Sequence, residues 1–474
     1  MAGIKEKHTT HRVFSELTFE ENKAKAFARK NEIESSYRVY GDGKVGIYYH
    51  CGKIDDAEGF ARAQAVPERA RPYEFLPENG GKRSRDKTEC SVSDRELMDM
   101  GMEYMQYLTE KYPNFSFTGG VNAKWQCDTL ENDLGTDFSN TDYAIGVGFR
   151  FKHKDSRDII DGGFNFNLRK PDDGTVFRTM ADLYLANYET VAEIPEEIIL
   201  DMQYYSQTGV LAGELNAEGL ALGTSRLSGK IGEKVFADDF TLEHDAGDKE
   251  CWFSRFWDGE GSVLPNDRLV LVENGVIKTG YSDKRVAAKY NVPYTKTASH
   301  NYTDLTAPGG LNLRIRRSDK TVRELLNGRC AVIPMNATGS PMDANGDTSL
   351  IINTSLLWDG ERVVGRLPEF RVKANFFDMF GKDFCGVGSD DPIYNDKQIL
   401  CAFTAWDRAL PFCRAHVFYV KRSRGACPAR AFCGMIGASW SERENPWIAE
   451  TLNGLTWRSR RYAPNGTCGR LRFF

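Results

Sequence analysis

Residues 268–281 read RLVLVENGVIKTGY, two alternating apolar runs separated by Asn274-Gly275. Asn-Gly readily supplies the positive φ angles of a tight turn whose twist matches that of paired strands, so this stretch reads as a β-hairpin. It sets the character of the second half of the chain. CAVIPMNATG (330–339), TSLIINTSLLW (348–358) and EFRVKANFFDMF (369–380) add further strand patterns, and Asp359-Gly360 breaks one pair. No internal repeat of about 20–50 residues is evident, which argues against a solenoid or propeller.

The first half mixes both periods. LTFEENKAKAFARKNEIE (17–34) spaces small and apolar residues as a helix does, and SYRVYGDGKVGIYYHCGKI (36–54) alternates around a turn at Asp42-Gly43. A helix is expected over 55–66, an exposed loop over 66–92 and a helix in RELMDMGMEYMQYLTEKY (95–112), which ends before Pro113. Its methionines are expected in the core. Strands follow at 115–127, 141–154 and 162–170, then a long helix-like run over 177–206. The expected architecture is α+β: an N-terminal α/β domain with a mixed sheet and helices (1–200), followed by a β-rich C-terminal domain (205–420). With 474 residues, more than one core is the natural division.

The end of the chain differs from the rest. Residues 421–474 contain nine Arg, one Lys and no Asp, with three Trp and three Cys, and no regular period. Two readings stand: a variable Arg-rich extension, or a reading frame that shifts near 420. Translating the encoding DNA in all frames separates them.

Composition excludes some classes. The formal net charge of −5 argues against a protein that binds nucleic acid by neutralising phosphates. No run of about 20 apolar residues suits a membrane helix. The polar start MAGIKEKHTTHRVF lacks the apolar core of a secretory signal. Eleven scattered cysteines without a CxxC pair then read as reduced thiols of a cytoplasmic protein.

Residues 209–225, GVLAGELNAEGLALGTS, carry Glu214 and Glu218 four apart on an expected helix. Two carboxylates on one face suit a divalent cation or acid–base work, and they equally suit a solvated face. Cys385, in KDFCGVGSDDP, is either a thiolate ligand or a small residue in a turn. Of the seven histidines (8, 11, 50, 153, 244, 300 and 416), none forms HExxH or HxH. No Walker sequence, no GxGxxG between strand and helix and no GxSxG elbow occurs.

The order of several stretches is more specific than any one of them. SGKIGEKVFADDFTL (228–242), FWDGEGSVLPNDRLVLVENGVIKTGYSDKRVAAKY (256–290), Pro-Gly-Gly (308–310), SDKTVRELL (318–326) and GDTSLIINTSLLWDGERVVGRLPEFRVKANFFDMFGK (346–382) together resemble the TldD/PmbA family. That family, once described as modulators of DNA gyrase, includes metallopeptidases. The likeness is clearest over 205–390, weaker over 17–65 and absent over 421–474.

The resemblance implies two subunit types, TldD and TldE (also called PmbA), that pair and cleave unfolded peptides. The TldD type holds zinc through HExxxH and a later cysteine in Cys-Gly, and the TldE type lacks these ligands. Laid on this chain, Gly213 falls at the first histidine, Glu214 at the glutamate, Glu218 at the second histidine, and Cys385-Gly386 at the later cysteine. These four positions therefore read as a vestigial motif. An i,i+5 pair lies about 140° apart on a continuous helix, so the motif needs the helix to end or distort there.

The implied role is a TldE-like subunit without its own cofactor, which helps a zinc-bearing TldD-like partner bind unfolded peptide. The alternatives are an autonomous metal-dependent peptidase using Glu214, Glu218 and Cys385, and a peptide-binding module without an enzyme partner.

Overall fold

The computed structural model describes residues 3–65, 70–202, 204–248, 251–339, 342–390, 399–403 and 406–407. The two readings of residues 421–474 lie outside these residues. The described fold is α+β, with three sheets.

The first sheet contains β1 (Ile4–Glu20), β2 (Lys23–Gly41) and β3 (Lys44–Cys51), with α1 (Asp56–Gln64) following. Short strands β4 (Arg71–Pro72) and β5 (Lys82–Asp86) precede α2 (Asp94–Lys111). Then come β6 (Phe115–Asn132), β7 (Asp137–His153), β8 (Gly162–Leu168) and α3 (Thr175–Leu185). The strand order is β4-β3-β2-β1-β6-β7-β5, with β8 also on β7.

The helix expected over 17–34 is instead the β1–β2 hairpin, turning at Glu21 and Asn22, both at positive φ. Ala and Lys have good helix propensity, but the backbone here pairs with β1, whose Leu17 and Phe19 are buried under α2. Tertiary pairing overrides local preference. The turn at Asp42-Gly43 and the helices near 55–66 and 95–112 form as expected.

The long strands β1 and β6 serve two cores. Near α2 they bury odd-numbered residues: Ser15, Leu17 and Phe19 on β1, and Phe115, Phe117 and Val121 on β6. At the other end they bury even-numbered residues, Glu6, His8 and Thr10 against Gln126, Asp128 and Leu130. The first core is apolar, with the rings of Tyr104 and Phe177 stacked 3.9 Å apart. It also takes in Ile199, Val322, Ile333 and Trp358 from the second half of the chain. The second core is strongly polar and is closed by Arg255 and Tyr302.

The run expected as one helix over 177–206 divides into α3, then β9 (Ile198–Met202), then the start of α4 (Tyr204–Glu214). Pro195 lies within this interruption, and the apolar Ile199 and Leu200 that follow are fully buried as strand residues. After α5 (Ala217–Leu222), the second sheet is formed by β10 (Leu242–Asp245), β11 (Arg268–Glu273), β12 (Val276–Ile277) and, beyond α6 (Lys284–Tyr290), β13 (Leu313–Ile315). The Asn274-Gly275 hairpin is present, with Asn274 at φ 48° and Gly275 at φ 78°.

The third sheet follows α7 (Val322–Leu326). It comprises β14 (Ala331–Gly339), β15 (Asp347–Trp358), β16 (Val363–Leu367), β17 (Phe370–Asn375), then, past α8 (Phe376–Met379), β18 (Phe384–Val387), β19 (Ile399–Phe403) and β20 (Trp406–Asp407). Its order is β18-β19-β9-β14-β15-β17-β20, with β16 on β15. Strand β9 is thus central to this sheet and delivers the chain directly into α4 and the Glu214 region. No helix of the described residues is long and apolar enough to cross a membrane.

Candidate functional site

Glu214 and Glu218 do not share a helix face. Helix α4 ends at Glu214, and α5 begins anew at Ala217 with Asn216 as its cap, whose side chain accepts from the Glu218 N–H at 3.0 Å. Between them the backbone pairs with another segment: Ala217 N–H donates to Tyr281 O and Tyr281 N–H to Leu215 O, both at 3.0 Å. Gly280 permits this contact, since a Cβ there would lie 2.9 Å from Leu215 O and 3.1 Å from the Ala217 Cα. A continuous-helix reading fails because these backbone groups are satisfied across the chain.

Each carboxylate has protein partners. Glu214, only 8% exposed, accepts from the Arg226 N–H at 2.7 Å and from Ser225 Oγ at 3.0 Å, and pairs with the Arg226 guanidinium. The same guanidinium donates to Asp343 O at 2.8 Å and Met342 O at 2.9 Å, tying the end of α4 to the turn before β15. Glu218 accepts from Tyr290 OH at 2.9 Å and lies 3.5 Å from Lys289 Nζ, both on α6. Gly213 is exposed, and a Cβ there would meet nothing within 4 Å. Cys385 sits on β18, half-buried against the first apolar core, its thiol donating to Asp383 O at 3.6 Å.

Zinc does not fit this set. Gly213 offers no ligand, Glu214 is engaged by a guanidinium, and Glu218 faces a phenol and an ammonium. Among the described residues no three His, Cys, Asp or Glu side chains come together as a metal site. His416 lies outside these residues. His244 accepts from the Asn312 N–H at 2.8 Å through Nδ1, and burial pushes its pKa down to about 4.

Residues 197–401 match the pattern of the PmbA/TldA metallopeptidase C-terminal domain. Within this region, under half of the chain, the sequence resembles the PmbA/TldD family. An uncharacterized protein of Methanocaldococcus jannaschii is 27% identical over 357 residues, 72% of this chain and 82% of that relative. The crystal structure of TldE from Thermococcus kodakarensis superposes with a TM-score of 0.67 at 18% identity, covering 84% of this chain and 95% of that one. A candidate modulator of DNA gyrase from Thermotoga maritima gives 0.67 at 17%, covering 85% and 95%. The two structures share the fold of this chain.

The segment FWDGEGS builds a site that its sequence alone does not disclose. Asp258 Oδ1 accepts from the Glu260 and Ser262 N–H groups at 3.0 and 2.8 Å, and Oδ2 from the Ala298 N–H at 3.0 Å. Glu260 accepts from Tyr73 OH at 2.8 Å, Thr306 Oγ1 at 3.2 Å and Tyr294 OH at 3.3 Å. Burial, then the neighbouring Glu260, pushes the Asp258 carboxyl up to about 7. Burial also raises Glu260. The D-x-E spacing around glycine was the available signal. It marks a turn held by buried carboxylates, which joins the second half of the chain to Tyr73.

An open cleft lined by Asp245, Asp248, Asn266, Arg268 and Arg314 lies beside β10. Its charges are mutually paired: Arg268 with Asp245 at 2.8 Å, and Arg314 with Asp245 and Asp248.

Proposed function

We propose that this chain is a TldE-like, non-catalytic subunit that binds no metal of its own and completes a peptide-binding chamber with a zinc-bearing, TldD-like partner. The observation that carries the reading is the Glu214–Arg226 pair. The one carboxylate left from the HExxxH pattern is committed to holding α4 against the turn at Met342 and Asp343. A general base needs a free acceptor within reach of water or substrate. The match of residues 197–401 to the PmbA/TldA C-terminal domain and the fold shared with TldE from Thermococcus kodakarensis support the same role.

The partner's zinc would acidify the attacking water. This chain would contribute surface for extended, unfolded peptide, held mainly through backbone hydrogen bonds of about 1 kcal/mol each. Cys51, Cys90, Cys127, Cys251 and Cys330 are free thiols, which suits the cytoplasm.

Co-expression with an HExxxH-bearing family member of the same host tests the assignment. A stable complex that hydrolyses unfolded peptide, with neither chain active alone, is expected. Stoichiometric zinc and peptidase activity in this chain alone, both lost in Glu214→Ala, would overturn it in favour of an autonomous peptidase.

A further inference from the structure

Asparagine followed by glycine is prone to spontaneous modification, because the glycine nitrogen carries no neighbouring side chain to hinder its attack on the asparagine amide. Four such pairs lie among the described residues: Asn79-Gly80, Asn274-Gly275, Asn327-Gly328 and Asn345-Gly346. Two more, at 453–454 and 465–466, lie outside them. The dipeptide makes the four alike, and the fold separates them.

In three of them the attacking nitrogen is committed. The Gly80 N–H donates to Thr136 Oγ1 at 2.8 Å, and the Asn79 amide oxygen accepts from the Gly81 N–H at 3.2 Å. Gly275 is buried, and its N–H donates to Phe240 O at 2.8 Å. Its carbonyl accepts from the Val235 and Phe236 N–H groups at 2.9 and 3.1 Å. Gly346 is buried too, donating to Asp343 O at 3.1 Å and accepting from the Phe376 N–H at 2.8 Å. Attack in any of these turns must first break a hydrogen bond and move a packed segment.

Asn327-Gly328 differs. Both residues are exposed, and a Cβ on Gly328 would meet nothing within 4 Å. Among the described residues neither the Gly328 N–H nor the Asn327 side chain makes a hydrogen bond. Asn327 caps α7 in the left-handed region, at φ 49° and ψ 48°. Asn274 has nearly the same φ, 48°, so this angle does not separate the two turns. The free nitrogen does.

We propose that the fold singles out Asn327 for spontaneous deamidation and isoaspartate formation. The Gly328 nitrogen loses its proton and bonds to Asn327 Cγ. The Cγ–Nδ2 bond breaks, and the amide nitrogen takes up a proton and leaves as ammonia, giving a cyclic imide. Water then opens the ring at either carbonyl, to aspartate or to isoaspartate. Isoaspartate adds one carbon to the backbone at the point where the Asn327 N–H donates to Arg323 O at 3.2 Å and the Arg329 N–H to Leu326 O at 3.0 Å. It therefore disturbs the cap of α7, whose Val322 and Leu326 belong to the first apolar core. The site does not depend on the role assigned to Glu214 or on a partner subunit.

The test incubates the full chain, folded and in denaturing urea, at mildly alkaline pH. Each Asn-Gly pair is followed by mass-spectrometric peptide mapping. In the folded chain Asn327 should convert on the order of tenfold faster than Asn79, Asn274 and Asn345, the scale expected when one hydrogen bond and local burial are spared. In urea the four rates should converge. Asn327→Gly removes the amide and suits the left-handed cap, so it should fold, show no conversion at this turn and leave the other three rates unchanged. Conversion of any of the three as fast as Asn327 in the folded chain would overturn the proposal. So would an intact Asn327 in the folded chain once its conversion in urea is complete. The same spread of rates in both states would overturn it as well, since neighbouring sequence rather than fold would then set the order.

Discussion

The Arg226 guanidinium and the Arg226 backbone N–H both engage the carboxylate of Glu214, the N–H at 2.7 Å. The pair is largely buried, and its remaining donors reach Asp343 O and Met342 O. Removing one partner of such a pair leaves an uncompensated charge. Arg226→Met should cost about 3–5 kcal/mol in urea unfolding. Arg226→Met with Glu214→Leu should recover much of that loss, because no buried charge then remains. Equal losses in the single and double variants would show that packing rather than charge governs the site.

Restoring histidines should not restore zinc. Gly213→His meets open space and should leave unfolding within about 0.5 kcal/mol. Gly213→His with Glu218→His should still purify without stoichiometric zinc by elemental analysis, since Glu214 stays with Arg226 and the turn is held by Tyr281. A metal-to-protein ratio of one in the double variant would contradict this.

Asp258 should make the fold less stable as pH rises through neutrality. Its folded carboxyl titrates near 7 against an ordinary value of 3.8. The folded state therefore holds a proton that the unfolded state has released across that interval, so stability is greatest at its lower end and falls toward its upper end. Buried Glu260 is raised as well and acts in the same sense. Glu6 and Asp128 are lowered, despite burial, by His8 and Arg255 respectively, so they act oppositely and cost stability in acid. Buried His244, His8 and His300 are lowered as well and also cost stability in acid, so urea midpoints should decline only above about pH 6.5, where the histidines are neutral in both states, and Asp258→Asn should flatten that decline while lowering the whole curve. The lower curve reflects an amide N–H that would face the Ala298 N–H.

Gly101 marks a close approach of α2 to the first sheet. A Cβ there would lie 2.8 Å from Val121 Cγ2 and 2.9 Å from Leu17 Cδ2. Gly101→Ala should destabilise by about 1–3 kcal/mol, because overpacking outweighs the gain in helix propensity. A stabilised variant would show that α2 can lift without loss.

The sequence by itself determined what local geometry controls. Asn274-Gly275 and Asp42-Gly43 form their turns because few residues adopt positive φ as readily. Ser93 and Glu96 cap α2 by contacts within one turn. The absence of histidine at 213 and 218 was equally plain, since a missing side chain needs no fold to be seen.

Tertiary structure decided the rest. Residues 17–34 have helical composition but form paired strands, because β1 offers a continuous backbone partner and α2 covers Leu17 and Phe19. A two-residue period cannot say that β1 and β6 bury opposite faces at their two ends, since that depends on what packs there. Glu214 and Glu218 looked like neighbours on one helix until Tyr281, 63 or more positions away, took the backbone between them. Arg226 and Asp258 draw their meaning from residues distant in sequence. Charge and burial act through space, so only the fold could assign their partners.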